Sequence, residues 1–206
     1  MRVCGRYHMG DEDKLAELRE IIDAMNRAGY DGPIKTSGEV FPADLAPVIA
    51  SGRDLKPGVF AMRWGYALPG GRRIINARSE TADMKPLFSE GMARHRCVVP
   101  ADHYFEWTHA GRTRDKYAIR PDRDGAIYMA GIYRLEQGRP VFAIVTRASS
   151  DPVSFLHDRM PVILPRALTG DWIDPRRNAK DLLACAITDL QPVRVAPQTE
   201  QMRIAF

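Results

Sequence analysis

A chain of 206 residues, 45% of them hydrophobic, is long enough to bury a sizeable core and fits one large domain spanning 1–206. It has no run of about 18 apolar residues and no apolar signal core ahead of Gly10-Asp11-Glu12-Asp13, which predicts a soluble, cytoplasmic protein with neither membrane span nor secretory leader. The net charge of +4 is carried by an arginine surplus, since only six of the 30 basic residues are lysine; this permits nucleic-acid binding, although genomic base composition would give the same bias.

Along the chain, Asp11 to Ala28 is predicted as the one long helix: Leu15, Leu18, Ile22 and Met25 recur at helical spacing, acidic residues crowd the first turn and Gly29 can close the end. Tyr30 to Gly58 is rich in Gly and Pro and reads mostly as loop, with one short strand at Pro47–Ala50. Short strands follow at Val59–Trp64, Arg73–Ala77, Cys97–Val99, Tyr104–Trp107, Tyr117–Arg120, Ile127–Tyr133, Val141–Thr146, Val162–Leu164 and Val193–Ala196. Helical pieces are expected at Ala82–Arg94, Pro152–Leu156, Ala167–Ile173 and Ala179–Ala184. Neither βαβ alternation nor an internal repeat is visible. The expected class is therefore α+β, with a curved, barrel-like, mainly antiparallel β core and peripheral helices. Nothing in the sequence requires more than a monomer.

Four segments carry candidate chemistry. Cys4-Gly5-Arg6-Tyr7 puts a thiol close to the start. At a chain terminus, such a thiol beside an α-amine can trap an aldehyde, both groups being partly deprotonated near neutral pH. In Ile74 to Thr81, an extended backbone places Asn76, Arg78 and Glu80 on one face, which describes either a site or a solvated strand face. In Tyr104-Phe105-Glu106-Trp107 a carboxylate between two aromatics is expected to lose water and gain proton affinity, unless it is simply an outward-facing glutamate. In His157-Asp158-Arg159-Met160-Pro161, a histidine and an arginine lie where a helical turn meets an apolar strand, suited to a proton shuttle and an anion contact; a lone histidine is more often structural. Trp64 could stack on bases or be ordinary core. Gly70-Gly71 lacks a following Gly-Lys-Ser/Thr and is no phosphate loop. The three cysteines, Cys4, Cys97 and Cys185, form no Cys-x-x-Cys pair, so neither a disulfide framework nor a metal site is expected, and Cys97 and Cys185 are expected to be buried and inert.

Taken in order, Cys4-Gly5-Arg6-Tyr7, Asn76-Ala77-Arg78-Ser79-Glu80-Thr81, Phe105-Glu106-Trp107 and His157-Asp158-Arg159-Met160-Pro161 closely resemble the SOS response-associated peptidase (SRAP) family from Cys4 to near the C-terminus. The resemblance implies a single α+β domain that attaches covalently to abasic sites in single-stranded DNA, through a thiazolidine ring on an N-terminal cysteine exposed by removal of the initiator methionine. It implies Cys4 as nucleophile, Asn76 as orienting group, Glu106 and His157 as proton carriers, and Arg6, Arg78 and Arg159 as phosphate contacts, with Pro42 and Trp64 beside the DNA and no cofactor. Two alternatives stay open: a cysteine peptidase using Cys4 with His157 as base and Asn76 as orienting group, acting on itself or on other chains, and a noncovalent single-stranded DNA-binding module. The chain departs from the family pattern at Glu39-Val40-Phe41-Pro42, where many relatives have Asn-x-x-Pro, and at Gly70-Gly71, where some have a tryptophan pair. It also carries Met1-Arg2-Val3 ahead of Cys4. The expectation is that translation starts at Val3, or that cleavage before Cys4 frees its amine.

Overall fold

The computed structural model describes residues 4–10, 33–108, 114–122 and 125–195. The predicted helix Asp11–Ala28 lies outside them. Fifteen strands run through the described chain: β1 (Tyr7–Met9), β2 (Gly38–Val40), β3 (Leu45–Ser51), β4 (Pro57–Trp64), β5 (Tyr66–Ala67), β6 (Arg73–Ile74), β7 (Asn76–Arg78) and β8 (Arg96–Ala101). They continue with β9 (His103–Trp107), β10 (Lys116–Arg120), β11 (Ile127–Glu136), β12 (Arg139–Ala148), β13 (Arg159–Pro161), β14 (Ile163–Leu164) and β15 (Gln191–Val195).

Five of these close on themselves. β4, β3, β8, β11 and β12 pair antiparallel in that order, and β12 completes the ring by running parallel to β4 at Val141↔Arg63 and Phe142↔Trp64. Closure removes the open edges that an apolar sheet would otherwise expose. The β11–β12 hairpin turns through Gln137 (φ +50°) and Gly138 (φ +76°), the left-handed pair that matches the twist of a two-residue connection. The far half of β12 takes β7 on one side in parallel and β13 on the other antiparallel. A second, five-stranded sheet runs β15-β10-β9-β1-β2, every neighbour antiparallel.

Alternate residues of the ring strands feed two cores. Cys97, Val99, Ala101, Phe142 and Ile144 join Cys4, Tyr7 and Tyr104 of the second sheet, whereas Val98, Val141, Ala143 and Val145 pack with Phe88, Met92, Trp172 and Ile173 of the helical layer. With both faces buried, β8 and β12 read in sequence as continuous apolar runs, so their type was legible and their ends were not.

The helices are shorter than expected. Ala82–Arg94 yields a helix only over Ser89–Arg94, because Pro86 has no N–H to donate and the preceding segment is a series of turns. Pro152–Leu156 becomes Asp151–Ser154, and Ala167–Ile173 divides into a 3₁₀ turn at Arg166–Leu168 and a helix at Thr169–Ile173. Helix Ala179–Ala184 forms as predicted, capped by the Asn178 side chain, which accepts from the Lys180 N–H. Strand β2 arises inside a predicted loop.

Arg96 locks the helical layer to the ring. Its guanidinium is buried and donates to four carbonyls: Nε to Trp172 (2.5 Å), Nη1 to Met92 (2.7 Å), and Nη2 to Asp174 (2.5 Å) and Arg177 (2.9 Å). Replacing it orphans these acceptors. Arg96→Met is expected to destabilise the fold by at least ~3 kcal/mol in urea titrations, and Arg96→Lys, with three donors and no planar fork, to recover only part of that.

Candidate active site around Cys4

Cys4 is fully buried at the entry to β1, its backbone N–H donating to Glu106 Oε1 at 2.5 Å across 102 residues of sequence. Its φ of +43° lies in the left-handed region, a conformation that costs a non-glycine residue about 1–2 kcal/mol. Burial first, and the Glu106 charge second, push the Cys4 thiol well above its usual range, so the covered cysteine is held as a neutral thiol.

Glu106 is buried, as the sequence suggested, but not by the two aromatics beside it. Strand alternation sends Phe105 and Trp107 to the opposite face, where Lys116 Nζ sits 3.7 Å from the centre of the Phe105 ring and Arg6 stacks 5.0 Å from that of Trp107. Glu106 shares its own face with Tyr104, in the core that holds Cys4 and Tyr7. Burial there raises its carboxyl to about 7, even though the N–H groups of Cys4 and Trp107 pull the other way.

Asn76, Arg78, His157 and Arg159 are brought together around a cavity of about 910 Å³, with Thr146 also in its wall. β7 delivers Asn76 and Arg78 beside β12, and β13 begins with Arg159 opposite Ala148. Their neighbours Ile75, Leu156 and Met160 lie in the same core cluster as Cys4, which backs the cavity wall onto the cysteine. Cys4 and Glu106 themselves are not among the cavity-lining residues.

At His157 the backbone N–H of Arg159 donates to Nδ1 (3.0 Å) while Asp158 Oδ1 approaches the same atom (2.7 Å). One nitrogen cannot serve both in one protonation state. With Nδ1 accepting from Arg159 the ring carries its proton on Nε2; with a proton on Nδ1, in the other neutral tautomer or the imidazolium, it donates to the exposed Asp158 carboxylate.

Two of the three arginines matched to phosphates are already held by carboxylates. Arg159 forms a two-pronged pair with Glu80 (2.7 and 2.8 Å) and also donates to the Thr146 carbonyl (2.7 Å). That pairing, opposed in part by burial, lowers the Glu80 carboxyl to about 2. Arg6 pairs with Glu39 (2.9 Å) and lies over the Phe41 ring, and Lys116 takes the other Glu39 oxygen. Glu39 is thus shared between two cations, Arg6 and Lys116. Arg78 is exposed, and no carboxylate among the described residues pairs with it.

Trp64 is core. It is fully buried between Tyr7 and Phe142 and donates its Nε1–H to the Ile75 carbonyl (3.2 Å), so it offers no face to a base. Pro42 is half-buried in the turn after β2, next to exposed Phe41. Cys97 is buried as expected, whereas Cys185 is exposed, because it caps the end of the helix Ala179–Ala184, which packs through Ala179, Leu182 and Leu183. The Glu80 and Glu39 pairings and Thr146 went unread in the sequence; opposite charge at Glu39 and Arg6 was visible, but no spacing linked residues 33 positions apart.

The Glu106 shift has a measurable consequence. Its folded carboxyl binds a proton more tightly than the unfolded one, so its contribution to stability falls as pH rises from 4.5 through about 7 and levels off above. Glu106→Gln is expected to abolish that fall. Urea denaturation at pH 5 and pH 8 should show the wild type losing on the order of 3 kcal/mol relative to the variant over the interval.

The family pattern described as SOS response associated peptidase (SRAP) matches residues 3–202. Among curated relatives, the Abasic site processing protein YedK of Escherichia coli is 30% identical over 199 residues, covering 92% of this chain and 88% of its own length. The Abasic site processing protein YoqW of Bacillus subtilis is 29% identical over 196 residues, covering 88% and 84%. A solved structure of a Bacteroides thetaiotaomicron protein superposes with a TM-score of 0.74 at 22% identity over 94% of this chain and 93% of that one.

Proposed function

The chain belongs to the SOS response-associated peptidase family, and on that premise we propose that it captures abasic sites in single-stranded DNA by covalent attachment to Cys4. The observation that carries this reading is the contact between the Cys4 nitrogen and the Glu106 carboxyl group, which has a pKa of about 7. The curated relatives named as abasic site processing proteins supply the substrate.

The ring-opened abasic deoxyribose presents an aldehyde. The Cys4 amine, once residues 1–3 are removed, adds to its carbon, and Glu106 takes the proton that the nitrogen gives up and hands it to the oxygen, leaving a carbinolamine and a regenerated carboxylate. Loss of the hydroxyl as water, with a proton from His157 Nε2, leaves an iminium. The Cys4 sulfur then adds to the same carbon, its proton passes to the Glu106 carboxylate, and a thiazolidine closes with the net loss of one water. Asn76 orients the aldehyde oxygen. Arg78 meets a phosphate directly, while Arg6 and Arg159 do so by exchanging Glu39 and Glu80 for phosphate oxygens.

One observation favours a second, self-directed reaction. Cys4 is in a strained backbone conformation with a proton-exchanging carboxyl on its nitrogen. Attack of Sγ on the Val3 carbonyl would move the acyl group from nitrogen to sulfur, with Glu106 protonating the departing nitrogen. That step frees the amine, and water would then hydrolyse the thioester, releasing residues 1–3 as a carboxylate and restoring the thiol. A full-length preparation that sheds residues 1–3 in intact-mass spectra, and whose Glu106→Gln variant does not, supports this route; retention of all 206 residues by both rules it out.

Protein beginning at Cys4 is expected to form a denaturant-resistant adduct with an abasic single-stranded oligonucleotide, whereas Cys4→Ser forms none and His157→Ala slows its formation about 100-fold or more on denaturing gels. A peptide substrate turned over without any adduct would favour the peptidase reading. Salt-sensitive binding without an adduct would favour the noncovalent one. Arg78→Ala should weaken DNA binding and flatten the log–log salt dependence by about 0.7. Glu80→Gln, which removes the competing carboxylate, should tighten binding.

A further inference from the structure

Away from Cys4 and the cavity lined by Asn76 and His157, three side chains converge where β1 meets the corner between β8 and β9. We propose that His8, Asp102 and His103 form a binding site for a divalent transition-metal ion such as Zn²⁺. One ligand atom from each lies within 4.8 Å of the other two. His8 and His103 are direct cross-strand partners in the β1–β9 pair, which puts both rings on one side of the sheet.

Asp102 is held in place for the task. Its backbone N–H donates to the His8 carbonyl (2.8 Å), and its carboxylate is pressed against Gly10 so closely that a Cβ there would lie 2.4 Å from Oδ1. Asp102 is 8% exposed, yet its Oδ1 has no hydrogen-bond partner among the described residues; neither does His8 Nδ1, which lies 3.5 Å from Asp102 Oδ2. A buried carboxylate oxygen and a buried imidazole nitrogen, both without a hydrogen bond and carried by side chains in one cluster, describe a place for a cation. Two imidazoles and one carboxylate are a donor set that suits zinc, with a fourth position left open.

The rings now lie parallel, with centroids 4.9 Å apart and 5° between planes, so their in-plane lone pairs do not yet meet at one point. Closure requires one ring to turn about its Cβ–Cγ bond. His8, with 28% of its side chain exposed, has the room; His103 is held edge-on by Phe105. Lys116 and Arg120 act on His103 from β10, and the Asp102 carboxylate supplies the negative charge that offsets them. An ion here would fasten β1, the strand entered through Cys4, to the β8–β9 corner.

The test is titration of the full-length chain with Co²⁺, followed by Zn²⁺ competition and thermal unfolding. The expected result is one equivalent bound with visible d–d bands of tetrahedral or five-coordinate intensity, displaced by Zn²⁺, and a higher Tm with either ion. His8→Gln, His103→Gln and Asp102→Asn should each weaken binding by at least about tenfold and cancel the Tm rise. Using three separate variants, each checked by circular dichroism without metal, keeps a folding failure in one from deciding the outcome. No binding up to millimolar metal, binding that all folded variants retain, or a near-ultraviolet sulfur-to-cobalt charge-transfer band placing the ion on a cysteine would overturn the proposal.

Discussion

The short hydrogen bond from the Cys4 nitrogen to Glu106 is the constraint around which the site is organised. It joins the start of the chain to the middle of β9 and holds the cysteine at the face where the second sheet meets the ring of five strands. Because Glu106 is desolvated there, its carboxyl exchanges a proton near neutrality, a property that a surface glutamate lacks. The same burial keeps the thiol neutral. On the proposed route the pairing would serve the nitrogen first and the sulfur second, the order that imine formation followed by ring closure demands.

Around this pair the electrostatics are self-compensated. Glu80 and Glu39 occupy Arg159 and Arg6, so two of the cations beside the site already have anionic partners within the fold. A phosphate would have to exchange with a carboxylate at two of three positions, at a modest net gain, because each arginine trades one anionic fork partner for another. Only Arg78 presents charge with no such exchange.

The class of fold and the positions of most strands could be read from apolar runs and turn residues, and helix Ala179–Ala184 from its cap. The barrel-like core was expected too, but not which strands close it, because closure depends on β12 lying parallel to β4, a contact between Phe142 and Trp64 that no local periodicity encodes. Pro86 shortened a helix whose periodicity looked continuous. At the site, the ordered motifs pointed to Asn76, Glu106 and His157, while full burial places Trp64 in the core. Glu106 was singled out for the wrong neighbours: its flanking aromatics point away, and the desolvation comes from the opposite face. The carboxylate partners of Arg6 and Arg159 are distant in sequence and became visible only once β13 was placed beside β12 and β2 beside β1.

The central claim is that the Cys4 nitrogen and sulfur close a ring on one aldehyde carbon. The most direct test is the intact mass of the adduct between protein beginning at Cys4 and a short abasic oligonucleotide, with the attachment site located by fragmentation. The account predicts the sum of the two masses less one water, with both new bonds on Cys4. A sum without loss of water, marking a hemithioacetal, or attachment at any other residue would contradict it.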